Sequence, residues 1–257
     1  MLCDYCIAKF QDIIKLTRLF SKMSTNINDK IIVALDEPNL LKQIEIVNKL
    51  GSEINFYKIG LTSLSSGGLG LTNELKSQGK KIFLDLKLFD IGNTVEIAVK
   101  GLSELDLDFL TVHGDPHVIQ AAVKGKGDSS LKILAVTLLT SLNRDDLNRS
   151  LIQKGTIKNL VNERARLAFD SGADGVICSP HEISGIRDQK NSNGKIIVTP
   201  GIRPKGSEVN DQKRISDPEK AFRAGADYIV IGRPITKSKN PLDKVMEIKT
   251  EIMKQRI

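Results

Sequence analysis

The chain has 257 residues, 40% hydrophobic and 27% charged, ordinary globular proportions, and no run of ~18 apolar residues is free of charge, which excludes a membrane-spanning helix. Lys and Arg outnumber Asp and Glu by 38 to 31, a net charge of +7, but the excess is spread out with no basic block interleaved with aromatics, which argues against nucleic acid as a partner. The length suits one (β/α)8 barrel of roughly 250 residues and equally two ordinary domains.

Met1 to Lys22 comes first. Ile7, Phe10, Ile13, Ile14, Leu16 and Phe20 fall at helical spacing, while Lys9, Asp12, Lys15 and Arg18 interrupt any signal-peptide core. Met23 opens a polar leader that runs into the first strand and reads as a natural start of translation. Residues 1–22 are therefore expected to be a mis-assigned or dispensable extension, and residues 23–257 the folded unit. Cys3 and Cys6 form a lone C-x2-C with neither a second ligand pair nor a strand–helix context, so no zinc or redox site is expected. Few cysteines and no secretory signal point to the cytoplasm.

From Lys30 onward, short runs rich in Ile, Val, Leu and Phe alternate with segments of helical period, the pattern of βαβ units and a parallel sheet. The predicted strands are Ile31 to Asp36, Asn55 to Gly60, Lys81 to Lys87, Phe109 to His113, Lys132 to Leu138, Gly175 to Ser179, Lys195 to Pro200 and Tyr228 to Gly232. Helices are predicted over Leu40 to Leu50, Thr94 to Glu104, Pro116 to Lys124, Ile157 to Ser171, Pro218 to Ala224 and Pro241 to Gln255. Gly-Ala-Asp at Gly172 and again at Gly225 ends a helix and leads into a strand. Eight such units without a linker point to an α/β fold of one domain, a (β/α)8 TIM barrel, with an open doubly wound sheet as the alternative.

In such a barrel the chemistry gathers where strands end. Strand three ends Asp85-Leu86-Lys87-Leu88-Phe89-Asp90. Side chains alternate along a strand, so Asp85 and Lys87 share the inner face while Leu84, Leu86 and Leu88 face the helices. Lys58 ends strand two beside them, and Asp90 follows strand three. Taking such charges out of water costs on the order of several kcal/mol per ion unless they pair well. The cluster is thus either functional or a satisfied ion-pair network with Asp90 capping the next helix.

At the other end of the chain, Pro200-Gly201-Ile202-Arg203 follows strand seven and Gly232-Arg233-Pro234 follows strand eight. This is where barrels commonly bind phosphate, and two guanidinium groups suit phosphate oxygens. The polar stretch Arg203 to Arg214, with Gln212 in it, reads as a loop able to fold over a ligand or as an ordinary solvated loop. Asp36 and Thr140, after strands one and five, are candidates for a ligand's hydroxyls, with salt bridging or capping as the plain alternative. His113 ends strand four and could reach the mouth; His117 and His181 begin helices and are expected to be exposed. No histidine cluster suggests a metal.

Taken together, the residues resemble the orotidine 5′-monophosphate decarboxylase family. The resemblance runs from about Ile31 to Met253 and rests on Ala34-Leu35-Asp36, Lys58, Asp85-x-Lys87-x-x-Asp90-Ile91-x-Asn93-Thr94, Leu139-Thr140-Ser141, Thr199-Pro200-Gly201-Ile202-Arg203, Asp211-Gln212 and Gly232-Arg233. It implies decarboxylation of orotidine 5′-phosphate to UMP without a cofactor or metal, in a homodimer. Lys58, Asp85, Lys87 and Asp90 match the family's catalytic tetrad, with Asp90 reaching the partner's site. Asp36 matches a ribose contact, Thr140 and Ser141 pyrimidine contacts, and Arg203, Gln212, Gly232 and Arg233 phosphate contacts. Ile91, Thr94 and Pro200 are further substrate-binding positions. Phe89 and Gly92 depart from the histidine and proline the family often has there. Two rivals remain open: a magnesium-dependent phosphosugar barrel sharing Asp-x-Lys-x-x-Asp, and a non-catalytic basic binding protein.

Overall fold

The structure is a computed structural model that describes residues 27–150, 154–207 and 214–253. The expected extension at residues 1–22 and Gln212 lie outside the described residues. Eight strands pair in parallel and in sequence order: β1 (Ile31–Ala34), β2 (Phe56–Gly60), β3 (Lys81–Leu88), β4 (Phe109–His113), β5 (Lys132–Val136), β6 (Gly175–Ile177), β7 (Ile196–Thr199) and β8 (Tyr228–Ile231). β8 pairs back with β1, Ile32 opposite Val230. This closure decides for the barrel against the open sheet.

The main helices are α1 (Leu40–Leu50), α2 (Gly68–Ser77), α3 (Gly92–Ser103), α4 (Pro116–Lys126), α5 (Ile157–Asp170), α6 (Ile183–Arg187), α7 (Pro218–Ala224) and α8 (Pro241–Met253). Helix α2 is absent from the sequence expectation because Gly67, Gly68 and Gly70 obscure its period. Gly68 is needed there, since a Cβ would lie 2.7 Å from the Ser63 carbonyl oxygen. Most strands end earlier than expected, so Asp36, Leu138, Pro200 and Gly232 sit just past the ladder in the loops, free to turn toward the barrel axis.

Alternation divides the apolar residues into two cores. Ile31, Val33, Tyr57, Ile59, Ile82 and Leu84 face outward into a layer shared with the helices, while Ile32, Phe56, Phe83, Phe109, Leu134, Val198 and Val230 fill the barrel. The lowest interior layer comes from the even strands, as barrel geometry requires. Phe56, Phe109 and Tyr228 stack there with ring centroids 5.0 to 5.7 Å apart. The fourth place is Gly175, where a Cβ would press within 2.3 Å of the Ile196 carbonyl oxygen. Ile32, Phe83, Leu134 and Val198, from the odd strands, form the layer above. Only higher do polar side chains, Lys58, Thr111 and Asp85, take inward positions, so the charged site stands on two apolar storeys.

The lower rim is fastened by a repeated device. Asp108, Asp174 and Asp227 precede β4, β6 and β8, and each accepts the backbone N–H of Ile82, Ile133 or Ile197 on the preceding strand at 2.8 to 2.9 Å. Each also pairs with a cation: Lys76 at 3.3 Å, Lys126 at 2.7 Å and Arg187 at 2.5 Å respectively. The preceding Gly172 and Gly225 have φ of 94° and 110°, a left-handed conformation that favours glycine. The Gly-Ala-Asp repeat is thus a helix stop joined to a strand anchor.

Candidate active site

At the upper end of the barrel the loops surround a cavity of about 570 Å³. Its floor is the top of the inner core, with Ala34, Phe83, Val136, Ile177 and Val230 exposed into it. Against that apolar floor stands a row of four alternating charges. Lys58 Nζ lies 2.8 Å from Asp36 Oδ1 and 3.3 Å from Asp85 Oδ2, and Lys87 Nζ lies 2.7 Å from Asp85 Oδ1. Lys58 and Asp85 are largely buried, whereas Asp36 and Lys87, at the ends of the row, are open to the cavity.

Local backbone geometry makes this row possible. Gly60 ends β2 where a Cβ would crowd Lys58 Nζ at 3.1 Å and Asp36 Oδ1 at 3.2 Å. Lys87 has φ 50°, a left-handed conformation for a residue with a side chain, and the pairing of β3 with β4 shifts register between Leu84 and Leu88. Such a conformation is unfavourable by about 1–2 kcal/mol and persists only where the surroundings enforce it. Thr111 on β4 supplies that enforcement: its hydroxyl donates to Asp85 Oδ1 at 2.8 Å and accepts from the Lys87 N–H at 3.0 Å. Regular alternation predicted the inward pointing of Asp85 and Lys87 but not the bulge.

The two buried members of the row, Lys58 and Asp85, are held ionised by their neighbours. For Lys58, burial pulls the ammonium down, but Asp85 and Asp36 together outweigh it and keep its pKa above the ordinary lysine value. For Asp85, burial pushes the carboxyl up, and Lys58 and Lys87, with hydrogen bonds from Lys87 and Thr111, hold it below the usual range. Among the described residues, no group of three or more His, Cys, Asp or Glu is arranged to hold a metal.

Across the cavity lie the cationic and hydroxylic residues expected from the sequence. Thr140 and Ser141 follow β5, Pro200, Gly201 and Arg203 follow β7, and Gly232 and Arg233 follow β8; all line the same space. Gly201, with φ 78°, turns the chain so that the following segment doubles back. Arg203 N–H then donates to the Ser216 carbonyl at 2.9 Å, and Ser216 N–H to the Gly201 carbonyl at 3.4 Å. Arg233 opens a short helical turn, Arg233–Thr236, that begins at Gly232.

The Orotidine 5'-phosphate decarboxylase / HUMPS family matches residues 29–248. The chain belongs to that family. It is 56% identical over 226 residues to an orotidine 5'-phosphate decarboxylase of Ruegeria pomeroyi, covering 88% of this chain and 94% of that one. A Jannaschia relative of the same name is 57% identical over 215 residues, 83% of this chain and 94% of its own. The crystal structure of orotidine 5'-phosphate decarboxylase from Lactobacillus acidophilus superposes with a TM-score of 0.76 at 36% identity, over 88% of this chain and 99% of that one.

In this member of the orotidine 5'-phosphate decarboxylase / HUMPS family, the expected site residues divide. Asp36, Lys58, Asp85, Lys87, Thr140, Ser141, Pro200, Arg203, Gly232 and Arg233 line one cavity. Asp90, Ile91 and Thr94 do not; they are exposed, just past β3 and at the start of α3. Asp90 is therefore not part of one chain's charge row, and Asp36 takes the fourth place. Nor does Asp90 cap α3: the cap residue is Ile91, without a side-chain cap bond, and Asp90 accepts only the adjacent Ile91 N–H, at 2.7 Å. His117 and His181 are exposed, as expected. His113 is turned to Asp115 at 2.5 Å and packs 4.8 Å from the Phe89 ring, away from the cavity lining. Thr111 escaped the sequence reading, although its place between Phe109 and His113 puts a hydroxyl on the inward register of a strand.

Proposed function

We propose that the chain converts orotidine 5′-phosphate to UMP and CO2, the decarboxylation named in its family, in the pyrimidine pathway. The observation that carries this reading is the row Asp36–Lys58–Asp85–Lys87, set on an apolar floor and faced by Arg203 and Arg233 in the same cavity. Breaking the C6–carboxylate bond leaves an electron pair on C6 that the ring delocalises poorly. A fixed ammonium beside that carbon stabilises the developing charge more than the ground state. Lys87, at the cavity end of the row, takes this role and then delivers a proton to C6, its neutral amine regaining one from solvent. Asp85, itself paired with Lys58, holds the Lys87 side chain in place. With the cation supplied by lysine, the step needs no cofactor or metal.

Asp36 fits the ribose hydroxyls, Thr140 and Ser141 the pyrimidine, and Arg203, Gln212, Gly232 and Arg233 the phosphate, with Pro200 a further substrate contact. The positions left outside the cavity fit a homodimer in which Asp90, Ile91 and Thr94 enter the neighbouring subunit's site. Exposed Phe89, Ile91 and Ile97 on the same stretch of chain support it, since apolar groups of this size favour a covered surface. The cytoplasm is the proposed location; none of the described helices is long and apolar enough to cross a membrane. The magnesium-dependent rival is disfavoured by the engagement of Asp36 and Asp85 with ammonium groups. Loss of orotidylate absorbance in the presence of EDTA tests the reading; turnover that requires added Mg2+, or no turnover, would overturn it.

A further inference from the structure

We propose that Arg214, paired with Glu182, is a positioning residue that sets the pyrimidine side of the cavity in register with the phosphate side. This inference rests on the decarboxylase reading only for the ligand's identity. Arg214 Nη1 lies 2.8 Å from Glu182 Oε1 in the loop after β6, and its Nη2 donates to the Leu139 carbonyl at 3.1 Å in the loop after β5. Arg214 and Glu182 expose only 11% and 4% of their side chains, so the pair sits in a medium where a charge is held firmly by its partner. Neither residue lines the cavity.

The residues it holds lead directly to the lining. Leu139 precedes Thr140 and Ser141, the hydroxyls of the pyrimidine side. Two residues beyond Arg214, Ser216 bonds through its backbone to Gly201 and to Arg203, on the phosphate side. The planar guanidinium fork therefore fixes three loops, those after β5, β6 and β7, at one point behind the site. Such a residue does not add affinity for either half of the ligand. It adds affinity for a molecule that must touch both halves at once.

Calorimetry on the full chain, which needs no turnover, tests this with three probes: UMP spans both sides, uridine reaches the base side and ribose 5-phosphate the phosphate side. For Arg214→Met the expected loss is about tenfold for UMP, the size of an ordinary coupling between contacting groups, and less than about twofold for each half-ligand. Glu182→Gln should shift the same ratio in the same direction, and carries the test should Arg214→Met fail to fold. Equal weakening of all three probes, or unchanged UMP binding, would overturn the clamp. If the wild-type chain failed to decarboxylate orotidylate, the substrate assignment would fall, while the ratio among the probes would still report on Arg214.

Discussion

Lys87 Nζ and Asp85 Oδ1 are 2.7 Å apart across a β-bulge, and a single hydroxyl, that of Thr111, holds both ends of the arrangement. The same oxygen that orients the Asp85 carboxylate also receives the Lys87 backbone N–H. Carboxylate position and lysine backbone are thereby one structural unit.

Thr111→Val keeps the shape and removes the hydroxyl. The Lys87 N–H then loses its acceptor and Asp85 one of its donors, a defect of about 1–3 kcal/mol for buried groups. Lower stability in urea, together with a kcat reduced about tenfold, is the expected pairing. An unchanged kcat would show that the bulge needs no such support.

The pH dependence of stability follows from the signs of the two shifted groups. Asp85 is held below the ordinary carboxylate value, so its contribution is present above its unfolded pKa of roughly 3.9 and is lost as pH falls through the lower folded value. Lys58 is held above the ordinary lysine value, so its contribution is present below its unfolded pKa of roughly 10.4 and is lost only as pH rises through the higher folded value. Across the neutral range both contributions are complete. Asp85→Asn should lower the neutral Tm by about 10 °C and flatten the acid limb of Tm against pH. A variant whose acid limb matched the wild type would place the acid sensitivity elsewhere.

Arg233→Ala removes a cation from the part of the cavity proposed to hold the phosphate. Charge-assisted bonds to phosphate contribute about 1.5–3 kcal/mol, so kcat/KM for orotidylate should fall by roughly 10- to 150-fold, mainly through KM. Steady-state kinetics checks this, and a loss confined to kcat would contradict a phosphate-anchoring role.

Mixing subunits tests the shared site. If Asp90 serves the partner's cavity, Lys87→Ala and Asp90→Ala homodimers are each nearly inactive, but a mixed dimer has one site with both residues. Random reassociation should restore about a quarter of wild-type activity. No recovery from exchanged subunits would restrict Asp90 to its own chain.

Much of the barrel was legible because it depends on local rules. Period-two strands, helical stretches and the Gly-Ala-Asp stops each mark their own place, alternation puts Asp85 and Lys87 on the inner face, and the end of strand two brings Lys58 beside them. What escaped depends on contacts far apart in sequence. The Lys87 bulge needs Thr111 from the next strand, Asp36 joins the charge row only because Gly60 lets Lys58 approach it, and Arg214 acquires its place from Glu182 and Leu139. Asp90 is the converse case: it lies past the end of β3 and is exposed, so its place near Lys87 in sequence does not bring it to the charge row of its own chain. Specific chemistry was legible only through the motif set, because spacing alone equally describes a satisfied ion-pair network.

The most direct measurement is the rate of orotidylate decarboxylation by Lys87→Ala beside the wild type, with metal chelated and UMP affinity measured in parallel. On the proposed mechanism Lys87 supplies both the fixed charge and the proton, so its removal should slow turnover by at least about a thousandfold while UMP affinity changes by about tenfold or less. Wild-type turnover by the Lys87→Ala variant would contradict the central role given to that ammonium.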